Sequence, residues 1–309
     1  MGKTNFSHVC LHIYFIFPDM GQSQPKPEPP NPIFIKSWRE IKWGDNQADL
    51  EFVKNYKPEF DDQTLRILLL GPEGAGKSSF INSVQSVLKD RIYSQALADS
   101  YSAATSFTRE YITYKVHKEG KSFYPFVFCD IMGLSYDEGI LEDDVKLALR
   151  GHVKEGYKFK PESHLPEGDE SYEQVPKPKH KAHVLVYVFS ADTVECTREE
   201  FLKKTRRIRL DASSQNIAQI AILTKIDNLC PEMKEDIKNV YILRTMKETM
   251  EKFSGELGIP MNCIFPVKNY HEEINMNEDI NSLILSALKH IIQRGDDYFT
   301  FLHSRYEPS

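Results

Sequence analysis

A glycine-bearing loop between an apolar strand and an amphipathic helix constrains this chain more than any other feature. Residues 65–70 read LRILLL, a run typical of a strand that is covered on both faces. The next eight residues read GPEGAGKS, in which Gly71 and Gly76 frame four others, so the backbone can turn and aim its N–H groups at an anion. A helix predicted over residues 77–89 adds its positive N-terminal end. The pattern predicts a phosphate-binding loop in an α/β fold.

The residue types in this loop suit a nucleotide with bound magnesium. Lys77 is predicted to reach the β- and γ-phosphates, and the hydroxyl of Ser78 is predicted to ligate Mg²⁺. The alternative is a glycine turn that only resembles such a loop. The residues predicted to contact the phosphates are Gly71, Glu73, Gly74, Ala75, Gly76, Lys77, Ser78 and Ser79. The apolar face of the helix is predicted from Phe80, Ile81, Val84 and Val87.

A second motif, DIMG, follows the apolar run at residues 126–129. Asp130 is predicted to hold Mg²⁺, through water, because ligands gather at the carboxyl ends of strands in open α/β sheets. Gly133 has no side chain, so its N–H is predicted to approach a γ-phosphate and make the following segment depend on that phosphate. Alone, Asp-x-x-Gly is also a common turn. Its position between two other nucleotide motifs favours the functional interpretation.

A further magnesium ligand is expected from the loop over residues 94–108. Thr105 and Thr108 are both candidates, and Thr108 is favoured because a strand is predicted to follow it over residues 110–116. The alternative is that both hydroxyls only satisfy a turn. With Thr108 as the favoured ligand, the residues predicted to act in catalysis are Lys77, Thr108 and Gly133, and the predicted metal ligands are Ser78, Thr108 and Asp130.

A third motif predicts which base is bound. Another apolar run, residues 220–223, leads directly into Thr224, Lys225, Ile226 and Asp227. A carboxylate at position 227 can accept from N1–H and the exocyclic amine of guanine, whereas adenine presents an acceptor at N1, so guanine is preferred. The stem of Lys225 is predicted to lie along the base. A surface turn is the alternative.

The last base-side loop is expected after the run at residues 263–267. Lys268 and Asn269 are the candidates there, by position rather than by motif, because the Ser-Ala-Lys form typical of small GTPases is missing.

Three motifs in this order predict a three-layer P-loop NTPase of the G-domain type. Its central sheet is expected to be mostly parallel, with an antiparallel strand after the first helix. The predicted organisation is a flexible Pro-rich segment at 1–32, a lead-in at 33–62, a GTPase-like domain at 63–295 with an exposed insertion at 151–181, and a tail at 296–309. A long helix is predicted over residues 231–255 and a closing helix over residues 280–292.

From about Trp38 onward, the chain resembles the interferon-induced protein 44 family. The likeness is carried by the phosphate loop with Ser79, by residues 125–133 (PFVFCDIMG), by residues 221–227 (AILTKID) and by residues 264–272 (IFPVKNYHE). The resemblance implies a GTPase-like domain similar to those of immunity-related GTPases and, more remotely, dynamins and septins. It also implies an interferon-linked antiviral role in the cytoplasm.

Slow GTP hydrolysis is expected. A fast GTPase needs a group that orients the attacking water, commonly just past the Asp-x-x-Gly turn, and Leu134 occupies that position. Glu73 would bring a like charge near the γ-phosphate. Acceleration is expected to need a second copy of the chain or another protein partner. The second hypothesis is an interaction scaffold that a bound nucleotide stabilises without hydrolysis. The third hypothesis is an ATPase.

Composition and local charge bear on partners. A net charge of −6 argues against general nucleic-acid binding. The basic run at residues 203–209 is predicted to face water on a helix, with an anionic membrane or RNA as the alternative partner.

Five cysteines without paired spacing fit a reducing compartment. His180 and His183 are expected to be solvated. Residues 9–17 are apolar but too short to span a bilayer.

Overall fold

The computed structural model describes residues 32–58, 63–96, 109–118, 120–135 and 139–306. Its strands are β1 (Leu65–Leu70), β2 (Ile112–His117), β3 (Phe123–Asp130), β4 (Val184–Ser190), β5 (Ala218–Thr224) and β6 (Ile264–Pro266). Its α-helices are α1 (Gln47–Asn55), α2 (Lys77–Lys89), α3 (Glu142–Arg150), α4 (Glu199–Ser214), α5 (Pro231–Glu235), α6 (Arg244–Leu257) and α7 (Glu278–Tyr306). Thr105 and Thr108 lie outside the described residues, as does the Pro-rich segment up to residue 31.

The strands within the described residues form one sheet in the order β2-β3-β1-β4-β5-β6. β2 runs antiparallel to β3, and every other neighbouring pair is parallel. The predicted fold class is therefore confirmed. Because β1, β3, β5 and β6 point the same way, the loops that follow them meet at one edge of the sheet.

Two apolar layers cover the sheet. On one face, α2 and α7 pack over the strands, and α1 packs against α7. On the other face, α3, α4 and α6 form the second layer. The strands are buried on both sides, which explains their continuous apolar runs. None of the helices in the described residues is both long enough and apolar enough to cross a membrane.

The lead-in segment is tied to the far edge of the sheet. Arg39 donates from Nη1 to Ile264 O and from Nη2 to Met261 O, both at 2.6 Å. Trp38 packs edge-on against Tyr241, with ring centroids 5.2 Å apart. These contacts cover the edge strand β6, whose carbonyl groups otherwise lack a neighbouring strand.

The prediction of one continuous helix over residues 231–255 is wrong, because this stretch forms two α-helices separated by a 3₁₀ turn. α5 ends at Glu235, a 3₁₀ turn follows over Ile237–Tyr241, and α6 begins at Arg244. Asp236 is extended (φ −144°) and its carboxylate accepts from the backbone N–H of Lys238. Capping of this kind favours a new turn over a continuous helix.

Most residues of the segment 151–181 are exposed, but backbone pairing and a few buried apolar side chains anchor it to the domain. Its backbone pairs with the stretch before β2: Tyr111 N–H donates to Tyr157 O at 2.8 Å, and Phe159 N–H donates to Arg109 O at 2.9 Å. Its apolar side chains join the core under α3, and the buried ones are Val153, Tyr157, Phe159, Leu165 and Tyr172. Their irregular spacing gives no helix or strand period, which is why the sequence pattern indicated a solvated loop.

The basic run on α4 mostly contacts neighbouring elements. Lys204 Nζ donates to Ile140 O, Arg206 Nε to Glu256 O, Arg207 Nε to Glu142 Oε2 and Arg209 Nη2 to Gly258 O, at 2.5 to 2.6 Å. These bonds hold α4 against α3 and the end of α6. Leu210 is 62% exposed because it lies two residues, or about 200°, beyond the buried Ile208. Binding of an anionic partner stays a prediction.

The boundary expected at residue 295 falls inside α7, which continues to Tyr306. Tyr298 and Phe299 on this last part are buried, so the helix keeps an apolar face beyond the predicted domain end. Both rings pack against His183, with centroids 5.9 and 4.7 Å from the imidazole.

His183 is buried rather than solvated, contrary to the sequence prediction. Its Nδ1 accepts from the backbone N–H of Arg66 at 2.9 Å, and Nε2 lies 3.3 Å from Pro178 O. The proton therefore belongs on Nε2. Burial lowers the pKa of His183 from 6.5 to about 4, because the charged form would lose its hydration.

Acidification is expected to destabilise the protein through this histidine. Above pH 6.5 His183 is neutral in both the folded and the unfolded protein. Between pH 6.5 and pH 4 the histidine binds a proton in the unfolded chain but stays neutral in the folded protein, so unfolding is favoured as the pH falls. The free energy of unfolding should fall by about 2 kcal/mol between pH 7.5 and pH 5 from this group. Urea titrations at both pH values measure the loss. The variant His183→Asn keeps an acceptor for the backbone N–H of Arg66. If this variant loses as much free energy of unfolding between pH 7.5 and pH 5, the loss does not come from His183.

Candidate nucleotide-binding site

The phosphate loop joins β1 to α2 at the carboxyl edge of the sheet. Gly74 and Gly76 have φ of +68° and +91°, the left-handed region that glycine adopts without strain. The first bond of α2 runs from Phe80 N–H to Gly76 O at 2.9 Å. The N–H groups at the start of α2 precede this ladder and point along the helix axis. The loop and the helix end together form an anion-binding geometry.

Lys77 lies on this loop with its ammonium held by backbone carbonyls. Its Nζ is 3.2 Å from Gly71 O and 3.0 Å from Pro72 O, and the residue is buried. A cation in this position adds to the positive end of α2. The predicted role of Lys77 in holding phosphate oxygens is consistent with this placement.

Ser78 and Asp130 meet at the end of β3. Ser78 Oγ donates to Asp130 Oδ2 at 2.7 Å, and both residues are buried. A hydroxyl and a carboxylate oxygen are the ligand types that Mg²⁺ prefers. The pair therefore fits the predicted magnesium site. The third predicted ligand, Thr108, stays a prediction because it lies outside the described residues.

Gly133 and Leu134 lie directly beside the phosphate loop. Leu134 N–H donates to Gly71 O at 2.9 Å, and Pro72 pairs with Leu134 as a parallel bridge. Leu134 is 1% exposed and belongs to the core. Its side chain is thus both aliphatic and directed away from solvent. The backbone of Gly133 is fixed next to Glu73 by the same contacts.

The loop after β5 is tied to the phosphate loop by a buried threonine. Thr224 Oγ1 lies 2.6 Å from Ala75 O and 3.1 Å from Phe189 O. Lys225 then adopts φ +52°, and a 3₁₀ turn over Ile226–Asn228 carries Asp227, whose side chain is partly buried. Thr224 acts as a structural link between the two loops, and Lys225 and Asp227 follow it at the rim.

The loop after β6 completes the arrangement. Asn269 Nδ2 donates to Gly76 O at 3.2 Å, and a Cβ at position 76 would lie 2.9 Å from that same nitrogen. Lys268 Nζ lies 3.6 Å from Asp227 Oδ2 and 2.9 Å from Glu273 Oε1. The structure therefore brings the two predicted base-side loops and the phosphate loop together.

Glu273 is a site residue that the sequence pattern did not indicate. Burial raises the pKa of its carboxyl, but the backbone N–H of His271 and the ammonium of Lys268 outweigh this and lower it to about 2. Burial by itself would lower the pKa of the Lys268 ammonium. The neighbouring carboxylates of Glu273 and Asp227 outweigh burial and raise this pKa above its ordinary value. Lys268 is thus a fixed cation beside Asp227. Glu273 belongs to no motif, and only the folded contact identifies it.

The fold and these loops define a three-layer P-loop NTPase of the G-domain class. No protein-family model matches the chain. It is 36% identical over 251 residues to interferon-induced protein 44 of Mus musculus, covering 81% of this chain and 59% of that protein. It is 33% identical over 239 residues to the Homo sapiens protein of that name, covering 76% and 53%.

The human interferon-induced protein 44-like sequence is 32% identical over 251 residues, with 80% of this chain and 55% of that protein covered. The chain is therefore similar to the interferon-induced protein 44 and 44-like proteins, as the sequence predicts. It spans between 53% and 59% of the length of the curated relatives named here.

Similar solved structures include Toc33 from Arabidopsis thaliana in complex with GDP and Mg²⁺, with 15% identity and a TM-score of 0.45 over 82% of this chain and 93% of that one. A GTP-binding protein from Sulfolobus solfataricus in complex with GDP gives 15% identity and a TM-score of 0.37 over 76% of this chain and 53% of that one. At this level of likeness neither structure bears on the function.

Proposed function

We propose that the protein binds GTP and GDP together with Mg²⁺. The observation that carries the proposal is the convergence of three loops that are distant in sequence. Thr224 and Asn269 contact the backbone of Ala75 and Gly76, and Lys268 reaches Asp227. One molecule can therefore be held by its phosphates at the start of α2 and by its base at the rim.

The base would be selected by Asp227. Its carboxylate would accept from the N1–H and exocyclic amine of guanine, and Lys268, 3.6 Å away, would orient it. Adenine would leave that carboxylate facing an acceptor. The stem of Lys225 would cover the ring.

The phosphates would be held by the loop backbone and by Lys77. Ser78 and Asp130 would hold Mg²⁺, which would supply positive charge to offset that of the phosphates. The Gly133 N–H would report the γ-phosphate to the segment that follows, because Ile140 N–H donates to Gly133 O at 3.0 Å.

Hydrolysis is proposed to be slow. The side chain after the Asp-x-x-Gly turn is the buried Leu134, which orients no water. Acceleration would need a second copy of the chain or another protein.

Release of phosphate from GTP tests this proposal. Purified protein at low concentration with GTP and Mg²⁺ is expected to turn over well below about 1 s⁻¹. Raising the protein concentration separates self-activation from the intrinsic rate. A dilute monomer that exceeds about 1 s⁻¹ would contradict slow intrinsic turnover.

The second candidate is a scaffold that a bound nucleotide stabilises without a hydrolysis cycle. The buried Leu134 favours it as much as it favours a slow enzyme. Equal affinity for GTP and GDP, with no phosphate released at any protein concentration, would support the scaffold.

The biological role is proposed from relatives alone. Their names link them to interferon induction, and we extend to this chain an innate immune, antiviral role in the cytoplasm. The chain matches only part of each relative, so this role rests on the shared GTPase-like region.

A further inference from the structure

We propose that Glu73 makes the site prefer GDP over GTP. The inference rests on the proposed function, and it concerns a residue of the phosphate loop whose side chain is not needed to hold a diphosphate. The phosphate-loop motif accepts any residue at this position, so the loop does not require an acidic side chain there.

The contact between Glu73 and Gly133 carries the inference. A Cβ built on Gly133 would lie 2.6 Å from Glu73 Cγ and 2.8 Å from Glu73 N. The side chain of Glu73 therefore passes directly against the α-carbon of Gly133. Leu134 N–H and Gly71 O hold the two backbones side by side, so this approach is fixed by the fold.

This position distinguishes the terminal phosphate from the others. A diphosphate is held by the loop over residues 74–78, where α2 begins. A third phosphate extends toward the Gly133 N–H, and there it meets the carboxylate of Glu73. Two like charges at close range weaken binding of the triphosphate and leave the diphosphate nearly unaffected.

Glycine at position 133 is required by the same contact. Any side chain at position 133 would overlap both the side chain and the backbone of Glu73, so only glycine fits there. Glu73 is exposed, and solvent screens its charge, so the effect is expected to be moderate. We expect a change of about tenfold in the ratio of the two affinities.

Equilibrium titrations with labelled GDP and labelled GTPγS, both with Mg²⁺, test the inference. Glu73→Gln should bind GTPγS about tenfold more tightly than the unaltered protein, with GDP affinity changed by less than about twofold. Glu73→Asp should keep the original ratio, because it keeps the charge. Glu248→Gln, an equal charge change at an exposed position of α6, is the matched control and should alter neither affinity.

The outcomes separate this inference from the proposed function. If Glu73→Gln and Glu73→Ala bind both nucleotides but keep the original ratio, Glu73 does not set the preference and guanine nucleotide binding stands. If both affinities shift together, Glu73 acts on the loop as a whole and the inference is wrong. If the unaltered protein binds neither nucleotide, both the inference and the proposed function fail. Thermal melts of each variant show that the fold is intact.

Discussion

Replacing Lys77 by alanine is expected to weaken the binding of both GDP and GTP by about 100-fold or more. The ammonium sits on the phosphate loop at 3.0 to 3.2 Å from two carbonyl oxygens, at the positive end of α2. Removing a buried, hydrogen-bonded partner of an anion typically costs about 2–5 kcal/mol, and each 1.4 kcal/mol is about tenfold in affinity. Calorimetric titration with GDP and Mg²⁺ measures the change.

The matched control for Lys77→Ala is Lys121→Ala. Lys121 is exposed in the turn between β2 and β3, at the opposite edge of the sheet from the phosphate loop. It should bind GDP as tightly as the unaltered protein does. Equal GDP affinity in Lys77→Ala and the control, with both proteins folded, would show that the loop does not hold the phosphates.

Replacing Asp227 by asparagine is expected to change the base that is preferred. The Oδ1 of asparagine can still accept from the N1–H of guanine, but its Nδ2 would present a donor to the exocyclic amine, so GDP affinity should fall by about 100-fold. Xanthosine diphosphate carries a carbonyl where guanine has the amine, and it should bind the variant more tightly than GDP does. Competition against a labelled diphosphate measures both affinities.

Asp227→Asn also removes a charge beside Lys268, so a charge control is needed. Asp45→Asn makes the same change at an exposed position of the lead-in segment and should keep the preference for GDP. Glu273 stays available to pair with Lys268 in the Asp227 variant, which limits the loss of stability. A variant that loses GDP without gaining xanthosine diphosphate would argue against direct base recognition by Asp227.

The structural features that the sequence predicts well are local ones. A strand, a glycine loop and a helix follow one another at residues 65–89, and periodicity with glycine placement specifies all three. The ends of β3 and β5 are predicted in the same way, because each apolar run stops at a candidate site residue. These local patterns place Lys77, Asp130 and Asp227 at one edge of the sheet.

The parts that the sequence does not predict depend on contacts across the fold. Glu273 is a site residue because it meets Lys268, and no motif contains it. His183 looks like a solvated residue in a lysine-rich stretch, yet it bonds to Arg66, 117 positions away. The 151–181 segment lacks a period because its apolar residues pack one by one under α3. Burial of this kind has no signature in a single sequence.

Competition between GDP and ADP shows whether the protein recognises guanine. Unlabelled GDP is expected to displace labelled GDP from the protein in the presence of Mg²⁺, while ADP needs a concentration at least about 100-fold higher, because adenine presents an acceptor to Asp227. Displacement by ADP at the same concentration as GDP would contradict recognition of guanine at the rim of this site. Absence of any labelled GDP binding would contradict the nucleotide site itself.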